Sequence, residues 1–423
     1  MPVTIFDRQQ VTAVTGANST STVGEPSLAN SGKYFLYSGN WYAAHSDDHG
    51  ATWTAIDPYA FFPPAHGGFC CDQTIHYDQA HDVTIWLLQY RVDAANTANT
   101  LRVAFKKGGF AQPGTWNFWD LVPASVKSEW AGEWFDYNHA ALSNGFLFVG
   151  SNMFSIGANN WSRAVLFRFP LQAMADAGAV TFDIFETTTH GSLRCVQGAT
   201  DTMYFASHSS LTSLRVFVWP DNSKSVTHKD IAVSATVPGP MSAAVPGSAN
   251  WLSRCDTRIT GAWNGNGIVG FMWTSNQNGT ARPFPFVRVV RLDRQNLTLK
   301  DEPDIWNDQF AYAYPEAASN TQGIPGVGVF LGGGQRHPAH VVGFRDDNLG
   351  NWVLAIAESS THSPDQPKWG DYLTCRRHAP DGVTWIASGY TLQGGGAIAD
   401  VKPHYVHFGI GDHRPAVDRW QGV

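Results

Sequence analysis

Ser27–Ser38 reads SLAN-SG-KYFLYS: a short apolar run, a Ser-Gly turn and a second apolar run. Runs of this length on either side of turn residues are the mark of a β-hairpin. Outward from it, Trp41–Ser46 (WYAAHS) supplies a third strand, and a polar turn leads on to a fourth. The same order recurs along the chain. First hairpins start at Thr74 (TIHY-DQAHD-VTIWLLQY), His139 (HAAL-SNG-FLFVGS) and Gln197 (QGA-TD-TMYFAS). Three more start at Thr257 (TRITGAW-NGNG-IVGFMW), Glu316 (EAA-SNTQGIPG-VGVFLG) and Tyr372 (YLTCRRH-APDG-VTWIASGY). Each is followed by a third strand: LRVAFKK, AVLFRFP, LRVFVWP, FVRVVRL, HVVGFRD and HYVHFGI. A spacing of roughly 50–65 residues suits four-stranded propeller blades. Seven such units predict an all-β fold, a seven-bladed β-propeller with four antiparallel strands per blade.

Composition agrees. A chain of 423 residues would ordinarily divide into two or three domains, but no linker or low-complexity stretch interrupts the repeats. Residues 1–423 are therefore read as one domain. The 41 glycines, 23 prolines and 13% aromatic residues are what short twisted strands and many turns require. The last repeat offers three strands, Leu373–His378, Thr384–Leu392 and His404–Gly409, and then a polar tail. Val3–Arg8 (VTIFDR) has strand composition and no hairpin partner, so it is expected to complete the last blade and cover its open edge. Only 15% of residues are charged and the net charge is −7, with no basic stripe, so no nucleic-acid partner is expected. No apolar run approaches the ~20 residues of a spanning helix, so no membrane partner is expected either. The chain is expected to act as a monomer outside the cytoplasm, secreted or periplasmic. Its Met1-Pro2-Val3 opening fits a native cytoplasmic start equally well.

Ser46-Asp47-Asp48-His49-Gly50-Ala51-Thr52-Trp53 matches S-x-D-x-G-x-T-W, the Asp-box turn. By this motif and the blade pattern the chain resembles the sialidase-like superfamily of propellers. The box is a folding device between third and fourth strands, on the face away from the usual active site. Pro380-Asp381-Gly382 looks similar, but it falls between first and second strands and is read as a hairpin turn. True sialidases carry a Phe/Tyr-Arg-Ile-Pro motif ahead of the first box. Here the similar string, Phe167-Arg168-Phe169-Pro170, is a mid-chain third strand. Phe135-Asp136-Tyr137-Asn138-His139 and Trp369-Gly370-Asp371-Tyr372 are closer to motifs at blade starts in bacterial and fungal sialidase-like propellers, with Asn138 in place of proline. That resemblance implies a carbohydrate-active enzyme. Some propellers of this kind are lyases of uronate-containing polysaccharides, as of a rhamnose–glucuronate linkage.

Site candidates follow from the face where innermost strands converge. Glu25, Asp72, Asp136, Gln197, Asp256, Glu316 and Asp371 stand where the blades begin. Small or apolar residues would serve an inner strand, so six carboxylates there need an explanation. They bond backbone and water in the channel, hold a structural Ca²⁺ through Glu25 and Asp256, or act as a catalytic pair with separated pKa values. Aromatic residues in loops to this face, Trp134 and Trp369 among them, suit the apolar faces of sugars. Arg194 and Arg254 hold equivalent places in neighbouring repeats and are read either as anchors of an acidic sugar or as partners of nearby carboxylates. Arg336 and His337 are expected on the same side, with His139 and Tyr137 beside Asp136. No cofactor is required.

Two mechanisms follow. The favoured one is β-elimination: Arg194 and Arg254 neutralise a uronate, and His139 or Tyr137 removes the C5 proton, with Asp371 and Tyr372 from the second motif completing the site. The alternative is hydrolysis by a carboxylate pair drawn from Asp72, Asp136, Glu316 and Asp371. A non-catalytic glycan binder or an interaction scaffold would instead show several alike pockets or a broad apolar top. Cys70 and Cys71 are adjacent and are read as two free thiols or as an eight-membered disulfide ring forming a sugar platform.

Overall fold

The computed structural model describes residues 1–13, 20–95, 97–179 and 181–411. They form seven four-stranded antiparallel sheets, six of them running from the axis outward in chain order and the seventh taking its outermost strand from the N-terminus. The innermost strands are Ser27–Ser31, Phe69–Asp78, Glu133–Leu142, Arg194–Cys195, Ile259–Gly265, Ala311–Ser319 and Thr374–Arg377. Each packs beside the next, and the seventh returns to the first, so the ring is closed.

Position within a blade explains the sequence pattern. A second strand is covered on both faces by neighbouring blades, so Val83–Tyr90, Ile268–Ser275 and Pro325–Gly333 are buried along their whole length. An outermost strand has water on one side, and Thr227–Ala232 is mostly exposed. The core is accordingly a set of layers between blades. Trp119 of blade two stacks on Phe169 of blade three at 5.5 Å. The Trp385 indole of blade seven donates to the Ala318 carbonyl of blade six at 2.8 Å. It lies so close to Gly326 that a Cβ there would come within 2.6 Å of the ring. Each such ring removed from water contributes about 2–3 kcal/mol.

Closure follows the expected route. Val3–Gln10 is the outermost strand of the seventh sheet, paired antiparallel to Val401–Ile410 from Val3↔Ile410 to Gln10↔His404. Arg8 then reaches blade six, pairing with Glu358 at 2.9 Å and donating to the Ala357 carbonyl. The polar tail expected after this last strand lies outside the described residues.

The Ser46–Trp53 turn is tied by its own side chains. Asp48 accepts from the Thr52 amide at 2.9 Å and the Thr52 hydroxyl at 2.6 Å, and the Gly50 amide donates to Ser46 Oγ at 2.8 Å. Gly50 takes φ +85° under the Tyr405 ring, where no side chain fits. Trp53 then packs against Phe35, Tyr37 and Tyr405, bridging blades one and seven. Pro380-Asp381-Gly382 is a hairpin turn, with Asp381 accepting from the Val383 and Thr384 amides. Among the described residues no helix is long and apolar enough to cross a membrane.

Candidate functional site

Five innermost strands start with the same distortion. Glu25, Asp72, Tyr137, Ser192 and Tyr314 hold left-handed backbone at φ between 44° and 57°. Each lies two residues before the point where pairing with the second strand begins or resumes: Ser27, Thr74, His139, Arg194 and Glu316. A non-glycine residue held there costs on the order of 1 kcal/mol or more. Such a bulge turns a side chain off the regular blade face. Repeated around the ring, it gathers side chains at one mouth of the channel.

Carboxyl groups dominate that mouth. Glu25 is only 3% exposed, and its carboxyl shares a hydrogen bond with Asp72. Burial, then the charges of Asp72 and Asp371, hold Glu25 well above the usual carboxylate range. Burial and the neighbouring Asp136 charge push Asp72 up to about 7. Asp136 is also raised, by burial, against the opposing bond it accepts from Gln89 at 3.2 Å. Two such carboxyls in contact cannot both ionise cheaply, so the Glu25–Asp72 pair carries a proton at neutral pH. Asp371, whose charge acts on the same groups, is differently placed. It accepts a forked pair of bonds from Arg254, at 3.2 and 2.6 Å, and lies 3.9 Å from Arg258. Arg258 in turn lies over the Tyr137 ring at 4.2 Å. A proton-bearing carboxyl and an arginine-paired carboxylate thus share one funnel.

A second, cationic layer lies deeper. Arg194 and Glu316 form a buried ion pair, Arg376 stands 3.5 Å from the other Glu316 oxygen, and Arg376 donates to His76 at 3.3 Å. Burial lowers both guanidinium pKa values, to about 10, which leaves them charged at neutral pH. Burial and the neighbouring Arg194 charge lower His139 to about 3, and burial with Arg376 holds His76 well below its usual range. Both imidazoles are therefore neutral.

The expected residues divide on these contacts. Asp72, Asp136, Asp371, Tyr137 and Tyr372 meet at the mouth, the last two as edge-on rings at 6.1 Å. Glu316 does not: it is wholly buried and held by Arg194 and Arg376. The paired reading of the two arginines is the one observed, Arg194 with Glu316 and Arg254 with Asp371. Trp369 was expected as a sugar platform, yet it is fully buried against Phe330 and Tyr390. Trp134 is half-buried against Phe154. Arg336 lies over Phe310, and His337 bonds Ser363, in the outer part of blade six rather than in the funnel. Of the two residues expected to hold an axial cation, Asp256 pairs with Arg258 at 2.7 Å and Glu25 lies beside Asp72. Cys70 and Cys71 are not free thiols but a disulfide, half-exposed beside Asp72.

Arg258, Arg376 and His76 complete the site and were not singled out from sequence, whereas Tyr314 belongs to the loop aromatics expected on this face. Arg376 had a signal, since Cys375-Arg376 inverts the Arg-Cys pairs of Arg194-Cys195 and Arg254-Cys255.

No described protein family matches the chain by sequence, and no curated protein matches it. Solved structures similar to it include an α-L-arabinofuranosidase from Fusarium graminearum, at 10% identity and TM-score 0.46, covering 95% of this chain and 97% of that one. A Penicillium chrysogenum α-L-arabinanase aligns at 9% identity and TM-score 0.41 over 96% and 97%. A Trypanosoma rangeli sialidase aligns at 10% identity and TM-score 0.41, over 84% of this chain and 58% of its own.

Proposed function

We propose that this protein is a glycoside hydrolase acting on the end of an oligosaccharide seated in the funnel. Asp72 serves as general acid toward the departing oxygen, and Asp371 is the carboxylate that acts at the sugar carbon, directly or through water. One observation carries this reading: in a single funnel, Glu25–Asp72 retains a proton at neutral pH while Arg254 and Arg258 pair with Asp371. A carboxyl that keeps its proton beside a carboxylate gripped by arginines assigns an acid and a base.

The elimination reading fares worse. It needs arginines free to neutralise a uronate, and both candidates are already paired within the protein. It also needs a competent base, and His139 at about 3 is a weak one. Incubation with a panel of oligosaccharides, uronate-containing ones included, should release reducing sugar without the ultraviolet absorbance of an unsaturated uronate. Appearance of that absorbance would overturn the assignment.

The Cys70–Cys71 disulfide gives the sugar an apolar ledge one residue from the proposed acid and fits an oxidising compartment outside the cytoplasm. Replacing both cysteines by serine should raise KM several-fold while changing kcat less. Equal losses in both constants would show that the disulfide positions Asp72 rather than the sugar.

A further inference from the structure

Below the carboxylate mouth, Thr74, Tyr137, Asn138, His139, Arg194, Tyr372 and Arg376 line a cavity of about 10 Å³. That is room for about one water-sized species. Its walls carry more positive than negative charge. Two buried guanidiniums, Arg194 and Arg376, share one carboxylate, Glu316. The mouth's negative charge is held outside this layer: Glu25–Asp72 with one proton bears a single charge, Asp371 is engaged by Arg254 and Arg258, and among the described contacts none of the three pairs with Arg194 or Arg376. His76 and His139 are neutral at this depth.

The walls are also rich in donors. Arg194 Nε, Arg376 Nε, Tyr137 Oη and Tyr372 Oη are buried and have no hydrogen-bond partner in the protein. Each of these residues is only 6–7% exposed. Buried donors of this kind ordinarily have a partner, and an uncompensated buried charge is costlier still. A water molecule would satisfy some donors and leave the charge. A phosphate or carboxylate would balance the charge but exceed the space. We propose that this cavity is a halide site, with one chloride ion seated among Arg194, Arg376, Tyr137 and Tyr372.

The ion stands directly under the funnel and fixes the two tyrosines from below. This assignment does not depend on what the mouth hydrolyses. Crystals of the wild-type protein grown or soaked in bromide should give one strong anomalous peak in the cavity. In solution, replacing sodium gluconate by sodium chloride or bromide at equal ionic strength should raise the melting temperature by about 2 °C or more. Arg376→Gln leaves Arg194 balanced by Glu316, and its melting temperature should not distinguish the two salts. Should that variant fail to fold, the two wild-type measurements decide alone. No anomalous peak, together with identical wild-type melting in gluconate and chloride, overturns the proposal. A halide response that persists unchanged in Arg376→Gln removes the ion from this cavity and overturns it equally.

Discussion

Asp72→Asn should lower turnover by a factor on the order of 10²–10⁴, the usual worth of a positioned proton donor, while substrate binding changes little. The substitution suits the site. An amide can keep the hydrogen bond that a protonated carboxyl makes with Glu25, so the funnel retains its shape and only the transferable proton is lost. The wild-type pH profile supplies the matching sign. Asp72 must hold its proton to act as acid and is pushed up to about 7, so kcat/KM should fall as pH rises through about 7. Stability moves the same way. A group whose folded pKa is raised above 3.8 contributes stability in full below its unfolded pKa, and loses it as pH rises through the folded one. The variant does not titrate there, so its melting temperature should gain on the wild type between about pH 4 and pH 7. Full activity in Asp72→Asn, or a flat profile from pH 6 to about pH 8, would remove Asp72 from the chemistry. Asp371→Asn should be as damaging for the opposite reason, because it takes away the charge that Arg254 and Arg258 hold ready.

The ring was legible in the sequence because its causes are local. Hairpins such as Ser27–Ser38 announce themselves by apolar runs and turn residues, and the unpaired Val3–Arg8 had one place left to go. The mouth was legible as a gathering of carboxylates, since Glu25, Asp72, Asp136 and Asp371 sit where blades begin. The contacts that assign their roles were not. The bulge that aims Glu25, Asp72, Tyr137 and Tyr314 uses left-handed backbone without a glycine to mark it. Arg194 meets Glu316 across 122 residues of chain, and two blades with similar loops offer no sequence rule for which arginine takes which acid. Trp369 shows the limit of residue type as a guide. An aromatic residue in a loop reads as a sugar platform, but Phe330 and Tyr390 cover it and make it core. The vicinal disulfide was left open for a related reason, since adjacent cysteines are equally compatible with thiols until their surroundings are known.

Deleting residues 1–10 should lower the melting temperature by about 10 °C and make the protein prone to aggregate. The Val3–Gln10 strand pairs along His404–Ile410, and Val3 and Ile5 pack into the cluster of Trp385, Val406 and Phe408. Arg8 also links blade seven to Glu358 of blade six, and Tyr405 bonds Asp7 while lying against Gly50 of blade one. Three blades therefore lose contacts together. Ordering ten residues costs about 1–2 kcal/mol each in conformational entropy, so the strand's own burial is largely offset. The damage comes instead from what it leaves behind, a bare edge along His404–Ile410 of the kind that recruits other chains. A synthetic peptide of residues 1–10 added in trans should re-cover that edge and restore much of the melting temperature. If the truncated protein melts as the full chain does and stays monodisperse, the N-terminal strand does not close the ring.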